Sequence, residues 1–147
     1  MIRRMGEGDL EAVAAIWLDA NREAHDFIPA SYWLGHFEEV RTALAQAEVW
    51  VFEAEARAEI SGFIGLQEDY IAGIFVRREA RSGGVGRQLL DHVKAGRRQL
   101  RLQVYRKNSR ATGFYRREGF RVLEEGVDPG TGEAELLMEW RRGGPQS

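Results

Sequence analysis

Residues 70–90 read YIAGIFVRREARSGGVGRQLL, and this stretch decides the fold. Its first part, YIAGIFV (70–76), is an apolar run of the kind found in a central strand buried on both faces. RSGGVGRQLL (81–90) then places Gly83, Gly84 and Gly86 within four positions, with Arg81 and Arg87 on either side. Val85, Leu89, Leu90 and Val93 follow on one helical face that ends near Gly96. LRLQVY (100–105) alternates apolar and polar residues, as a strand does. Strand, glycine loop, helix and strand in this order predict a right-handed parallel crossover spanning 70–105.

Upstream, IRRM (2–5) suits a short first strand, broken by GEGD. Asp9 is placed to cap a helix whose apolar face carries Leu10, Val13, Ala14 and Trp17 and which fades near Asn21. HDFIP (25–29) breaks the pattern, because Pro29 disfavours helix at Ile28. Ser31 is placed to cap a second helix carrying Trp33, Leu34, Phe37, Val40, Ala43 and Leu44. VWVFEA (49–54) and EISGFIGLQ (59–67) are predicted to pair as an antiparallel hairpin across the polar turn EARA. Downstream, Asn108 opens a short helix with Ala111, Phe114 and Tyr115 along it, and Gly119 ends it. FRVLEE and EAELLMEW are the last two strands, joined by VDPGTG, and RRGGPQS reads as a disordered tail. The order β, α, α, β, β, β, α, β, α, β, β predicts an α/β fold: one mixed, mostly antiparallel sheet with helices on both faces. It forms a single domain over 1–141, followed by the tail at 142–147. The last strands are the expected edge, open to pairing, so monomer and homodimer both remain possible.

A chain of 147 residues can bury roughly 70% of its unfolded surface without staples. It has no cysteine, which excludes disulfides, a thiol nucleophile and a cysteine-based zinc site. The net charge is −2 with both signs spread along the chain, unlike the basic excess of a general nucleic-acid binder. Three scattered histidines supply no metal-ligand spacing, so no metal is expected. No stretch has signal-peptide or membrane-spanning length, so a soluble cytoplasmic protein with no membrane partner is expected.

Glycine loops before helices often hold phosphates, and three such loops compete at 81–90. A dinucleotide loop needs a third glycine, where this chain has Leu89. A nucleoside-triphosphate loop needs a Gly-Lys pair, and the chain contains none. A pyrophosphate cradle at a helix start needs free first-turn N–H groups, glycines that let the backbone approach the ligand, and nearby positive charge. Residues 81–90 meet those demands. A plain strand-to-helix turn would use the same glycines, and the loop alone leaves the two open.

A second segment carries the decision. Arg81-Ser82-Gly83-Gly84-Val85-Gly86 resembles the R/Q-x-x-G-x-G/A signature of the GNAT (GCN5-related) acyltransferases. NSRATGFYRREGF (108–120) resembles their second signature, N-x-x-A-x-x-F-Y-x-x-x-G-F, at every fixed position. The element order is similar to the GNAT fold along the whole chain. AHDFIPASYW, VYRKNSRATGFY and LLMEW resemble a YiaC-like bacterial subgroup of peptidyl-lysine N-acetyltransferases. Ser82 stands where the family usually has glycine, and Gly83 where a basic residue is common; Arg87 can offset that missing charge.

The resemblance implies acetyl-CoA as co-substrate. Its pyrophosphate would sit on the backbone of Arg81, Ser82, Gly83, Gly84, Val85, Gly86 and Arg87. Its pantetheine arm would run beside Ile74, Phe75 and Val76 in a gap between two splayed parallel strands. One of these amides would polarise the thioester carbonyl, as an oxyanion donor does. Asn108 would reach the arm with its amide, a role compatible with capping its helix. An amine attacks the thioester directly. At pH 7.4 only about 0.1% of a lysine amine is neutral, and the leaving thiol has a pKa of about 8.5, so a base and an acid both help. Tyr115, in the signature position, is the expected acid; packing in the core is its alternative role. Tyr70 is the second catalytic candidate, as shaper of the acceptor pocket or relay through water. His25, Phe27, Glu68 and Tyr70 are the expected acceptor-binding residues, although Glu68 and Asp69 also suit a solvated turn and His25 a structural hydrogen bond. The first function is acetyl transfer to a protein lysine. A small amine as acceptor, or a coenzyme A sensor without turnover, are the alternatives.

Overall fold

The computed structural model describes residues 1–55 and 59–143, so most of the EARA turn and the end of the tail lie outside the described residues. The elements are β1 (Ile2–Arg4), α1 (Leu10–Ala24), α2 (Ala30–Gln46), β2 (Glu48–Ala54), β3 (Glu59–Gln67), β4 (Tyr70–Val76), α3 (Val85–Lys94), β5 (Gln99–Tyr105), α4 (Ser109–Arg117), β6 (Arg121–Val127) and β7 (Ala134–Arg141). Short 3-10 turns at Glu7–Asp9 and Arg78–Ala80 precede α1 and α3. The seven strands form one sheet in the order β1-β2-β3-β4-β5-β7-β6. Among the described residues only β4 and β5 are parallel neighbours. This is the α/β architecture that the element order predicts, with β4 at the centre.

Alternation divides the sheet's two faces. Along β5, Leu100, Leu102 and Val104 are buried with the apolar stripe of α3, whose Val85, Leu89, Leu90 and Val93 are all inside. Each such fully buried side chain contributes about 1.5–3 kcal/mol. On the opposite face α1 lays Val13, Ala14 and Ile16 over Val49, Val51 and Phe63, and α2 closes this second core with Leu44. The α1–α2 layer covers the β2–β4 half of that face. Arg101 and Gln103 of β5 point out beyond it and are exposed.

The helix starts differ from the capping predictions. Asp9 does not cap α1 with its side chain; its carboxylate takes two bonds from Arg3 (2.7 and 3.1 Å) and one from the Gly6 N–H (2.7 Å). The Arg3 guanidinium therefore holds the Asp9 carboxyl below the usual range. α2 begins at Ala30, one residue before Ser31, with Pro29 as the preceding residue. α1 runs on to Ala24, because Asn21 turns its side chain back onto the Trp17 carbonyl (2.8 Å) and stays buried within the helix. Leu34 is 54% exposed, because Trp33 takes the inward position beside it.

The parallel pair is short. β4 and β5 are in register only at Tyr70↔Arg101 and Ile71↔Leu102. On the other side of β4 the register runs Leu66↔Ile71 and then Gly65↔Gly73, leaving Ala72 as an extra residue. A bulge bends the strand that carries it. Beyond it, the β4 groups from Ala72 to Val76 that face β5 have no ladder partner there.

Candidate functional site

A cleft of about 620 Å³ opens where β4 leaves β5. Ile74, Phe75 and Val76 form one wall, the loop before α3 the second, and the start of α4 the third. The end of α1 closes the cleft with Glu23, Ala24 and His25.

The loop is shaped by its dihedrals. Ser82 (φ 69°) and Gly84 (φ 79°) both lie in the left-handed region. A backbone that alternates in this way turns successive N–H groups inward as an anion-binding nest. Glycine suits position 84 because an L side chain is strained at that φ, whatever the space around it. Gly84 immediately precedes α3, so the unpaired N–H groups of the first turn add to the nest. Ser82, Gly84, Val85 and Gly86 line the cleft; Gly83 lies within the loop without lining it.

The cleft's charge is lopsided. Arg81, Arg87, Lys107, Arg110 and Arg117 line it against one acid, Glu23. Glu23 reaches Arg81 at 2.9 Å, while Arg87 stays mostly exposed, 3.9 Å from Asp91 and from Glu118. A nest, five cations and an unpaired strand edge together fit an elongated polyanion with an amide-bearing arm, which is the chemistry of coenzyme A.

Two side chains at the start of α4 complete the wall. The Asn108 Oδ1 accepts the Ala111 N–H (3.2 Å) and so caps the helix, while its Nδ2 faces His25 Nε2 at 3.0 Å. Tyr115 lines the cleft from α4, with its ring packed between Phe114 (5.3 Å) and Phe120 (5.5 Å). Burial pushes its phenol well above the ordinary value, so it stays protonated at neutral pH. The ring belongs to the core, and the residue also lines the cleft.

Tyr70 lies on the opposite face of the sheet. Its hydroxyl donates to Gln103 Oε1 (2.9 Å), and Gln103 Nε2 donates to Glu135 Oε1 (3.2 Å). Tyr105 donates to Asp128 Oδ2 (2.5 Å) beside them. Burial and the neighbouring Asp128 raise the Glu135 carboxyl. Burial, with Glu135 nearby, raises the Tyr70 phenol. Tyr70 stands at the end of the paired part of β4 and β5, so this face borders the gap that opens beyond Ile71. Neither Glu135 nor Asp128 has a basic partner among the described residues.

The remaining expected residues separate. His25 is a cleft residue and is buried. Phe27 packs edge-on against His25 and Tyr105 and carries Lys107 over its ring at 5.4 Å. Glu68 sits with φ 55° in an exposed turn outside the cleft, and Asp69 next to it lies 3.7 Å from Arg97. Glu23, Lys107, Arg110, Phe114 and Arg117 were not foreseen. Arg110, Phe114 and Arg117 share one face of α4 at helical spacing, a signal present in the sequence. Gln103 and Glu135 carry no such signal, because the β5–β7 register alone brings them together. Among the described residues no group of three His, Cys, Asp or Glu side chains could hold a metal ion, and no helix is long and apolar enough to cross a membrane.

Comparison with known proteins follows the same lines. Residues 45–122 match the acetyltransferase (GNAT) domain model. The chain is 33% identical over 142 residues to the peptidyl-lysine N-acetyltransferase YiaC of Escherichia coli, covering 95% of this chain and 96% of that protein. It is 34% identical over 121 residues to the peptidyl-lysine N-acetyltransferase YjaB of the same bacterium, covering 82% of each. The solution structure of apo YjaB from Escherichia coli superposes with a TM-score of 0.84 at 32% identity, over 95% of this chain and 96% of that one.

Proposed function

Starting from a chain that belongs to the GNAT acetyltransferase family and is an N-acetyltransferase using acetyl-CoA, we propose that its acceptor amine is the side chain of a protein lysine. The observation that carries this reading is the acceptor-side face. Tyr70, Gln103 and Glu135 form a hydrogen-bonded row there, Asp128 lies beside them, and the two carboxylates have no basic partner among the described residues. A lysine ammonium supplies the missing charge. Tyr70 and Gln103 are exposed there, so a side chain carried on a polypeptide can reach the row.

Acetyl-CoA supplies an activated acyl group as a thioester. In this reading the nest at 82–87 holds its pyrophosphate, with Arg81 and Arg87 adding charge. Arg81 exchanges Glu23 for phosphate as it does so. The N–H groups of Ile74 and Val76, which face away from β3, align the arm as a strand would beside Phe75, and one of them donates to the thioester carbonyl as negative charge develops on its oxygen. Glu135 and Tyr70 orient the amine at the gap between β4 and β5, and its surplus proton leaves to water on the open face. The amine nitrogen bonds to the carbonyl carbon and the carbon–sulfur bond breaks. Burial keeps the Tyr115 hydroxyl protonated, so it donates a hydrogen bond to the departing sulfur, and the proton that the nitrogen sheds on becoming an amide passes by way of this hydroxyl to the thiolate, so that the thiol forms and the phenol is left as it began.

Thiol release from acetyl-CoA over lysine peptides, peptides with free N-termini, polyamines, amino acids and aminoglycosides tests this directly, with Tyr115→Phe in parallel. Preferential turnover of lysine peptides, lost in the variant, is expected. Turnover confined to one small amine would overturn the lysine assignment.

A further inference from the structure

His25 is 8% exposed and lies among aromatic rings. Trp33 stacks on it at 5.5 Å, and Tyr105 and Phe27 meet it edge-on at 5.0 and 5.6 Å. It is the C-terminal cap residue of α1, with its backbone N–H on the Asn21 carbonyl. From there it reaches across 83 residues of sequence to Asn108, at Nε2···Nδ2 3.0 Å.

The Asn108 side chain cannot be turned around, because its Oδ1 already accepts the Ala111 N–H. The group facing His25 is therefore the NH2, a donor. Nε2 must then be the lone-pair nitrogen, and the imidazole carries its proton on Nδ1. Nδ1 has no hydrogen-bond partner among the described residues. The ring has given up one of its polar contacts and keeps the one to Asn108. Both residues line the cleft, and the NH2 retains a second hydrogen.

We propose that His25 is a positioning residue for the coenzyme cleft: its Nε2 accepts one Asn108 Nδ2 hydrogen and so fixes the other for the acetyl-CoA arm. The contact also ties the end of α1 to the start of α4, two walls that no sheet pairing joins. Burial disfavours the imidazolium and works in the same direction, since a proton on Nε2 would face the amide's own hydrogens. The proposal rests on acetyl-CoA occupying the cleft, and not on the identity of the acceptor.

Two variants and one spectrum test it. Nitrogen-detected NMR of the coenzyme-free protein at neutral pH should show His25 as the Nδ1-protonated tautomer; the Nε2-protonated form would overturn the proposal. Coenzyme A binding by calorimetry needs no acceptor, so it stands apart from the lysine reading. His25→Phe fills the aromatic box but cannot accept a bond, and it should weaken binding about tenfold, the effect of one buried unsatisfied polar group. In turnover, KM for acetyl-CoA should rise more than kcat falls. His25→Gln puts an acceptor oxygen where Nε2 was and should recover most of the affinity. Unchanged affinity in a folded His25→Phe, or equal losses in the two variants, would overturn the proposal. If neither variant folds, the tautomer of the wild-type ring decides.

Discussion

The two faces that meet at the gap between β4 and β5 are built in opposite ways. The coenzyme face is basic, and most of its wall comes from two short runs of sequence, 74–87 and 107–117, joined by the end of α1. The face proposed for the acceptor carries two tyrosines and two carboxylates without a basic partner among the described residues, and these come from four separate places: Tyr70, Gln103 with Tyr105, Asp128 and Glu135. In the proposed reading the coenzyme, the same molecule in every turnover, is held largely by backbone N–H groups presented by local conformation. The acceptor, in the same reading, is met by side chains that strand register brings together.

Four experiments sharpen or break this contrast. The largest effect belongs to the residue between the faces. Tyr115→Phe keeps the packing against Phe114 and Phe120 and removes only the hydroxyl. It should lower kcat about 100-fold with coenzyme A affinity unchanged, as thiol release and calorimetry would show. Unaltered turnover would leave Tyr115 as a core residue only.

Gly84→Val should act on the coenzyme face alone. A β-branched residue at φ 79° adds about 1–2 kcal/mol of strain in the loop itself. KM for acetyl-CoA is expected to rise about tenfold while KM for the acceptor holds. A parallel rise in both constants would mean that the two faces are not independent.

Glu135→Gln should act on the other face alone. KM for a lysine peptide is expected to rise about fivefold, or ~1 kcal/mol, with KM for acetyl-CoA unchanged. A neutral acceptor analogue should not notice the change.

The smallest effect is on stability. Burial and Asp128 raise the Glu135 carboxyl in the folded state, so the folded protein favours the protonated acid. The stability this brings is complete below the ordinary glutamate pKa and is lost as pH rises through the raised folded value. Thermal melting of Glu135→Gln should therefore lack that part of the wild-type decline across weakly acidic pH. Identical pH profiles would show that Glu135 has a charge partner in solution.

Much of this was legible before any coordinates. The apolar run 70–76, the glycines at 83–86 and the stripe of Val85, Leu89, Leu90 and Val93 act within a few residues of one another, so local rules suffice. Asn108 caps α4 for the same reason. The helix starts were less legible, because caps compete with partners elsewhere in the chain. Asp9 has the residue type of a cap, yet the Arg3 guanidinium takes its carboxylate. Leu34 fits an apolar helical face, yet Trp33 occupies the inward position. Glu68 was expected near the acceptor from its place before β4; it lies at φ 55° in an exposed turn next to Tyr70, and the row that Tyr70 forms runs to Gln103 and Glu135 instead.

The sequence by itself determined the α/β element order, the glycine loop before α3, the absence of thiol chemistry and the tyrosine on α4. Each depends on residue type and short-range spacing, which the chain carries wherever it folds. The tertiary structure decided how the faces meet. The extra residue at Ala72 ends the β4–β5 ladder after Ile71 and opens the cleft. The β5–β7 register sets Glu135 opposite Tyr105 and beside Gln103. The contact between His25 and Asn108 spans 83 positions. Such pairings depend on which side chains arrive at the same place once the core has closed, and no local pattern in the chain encodes that.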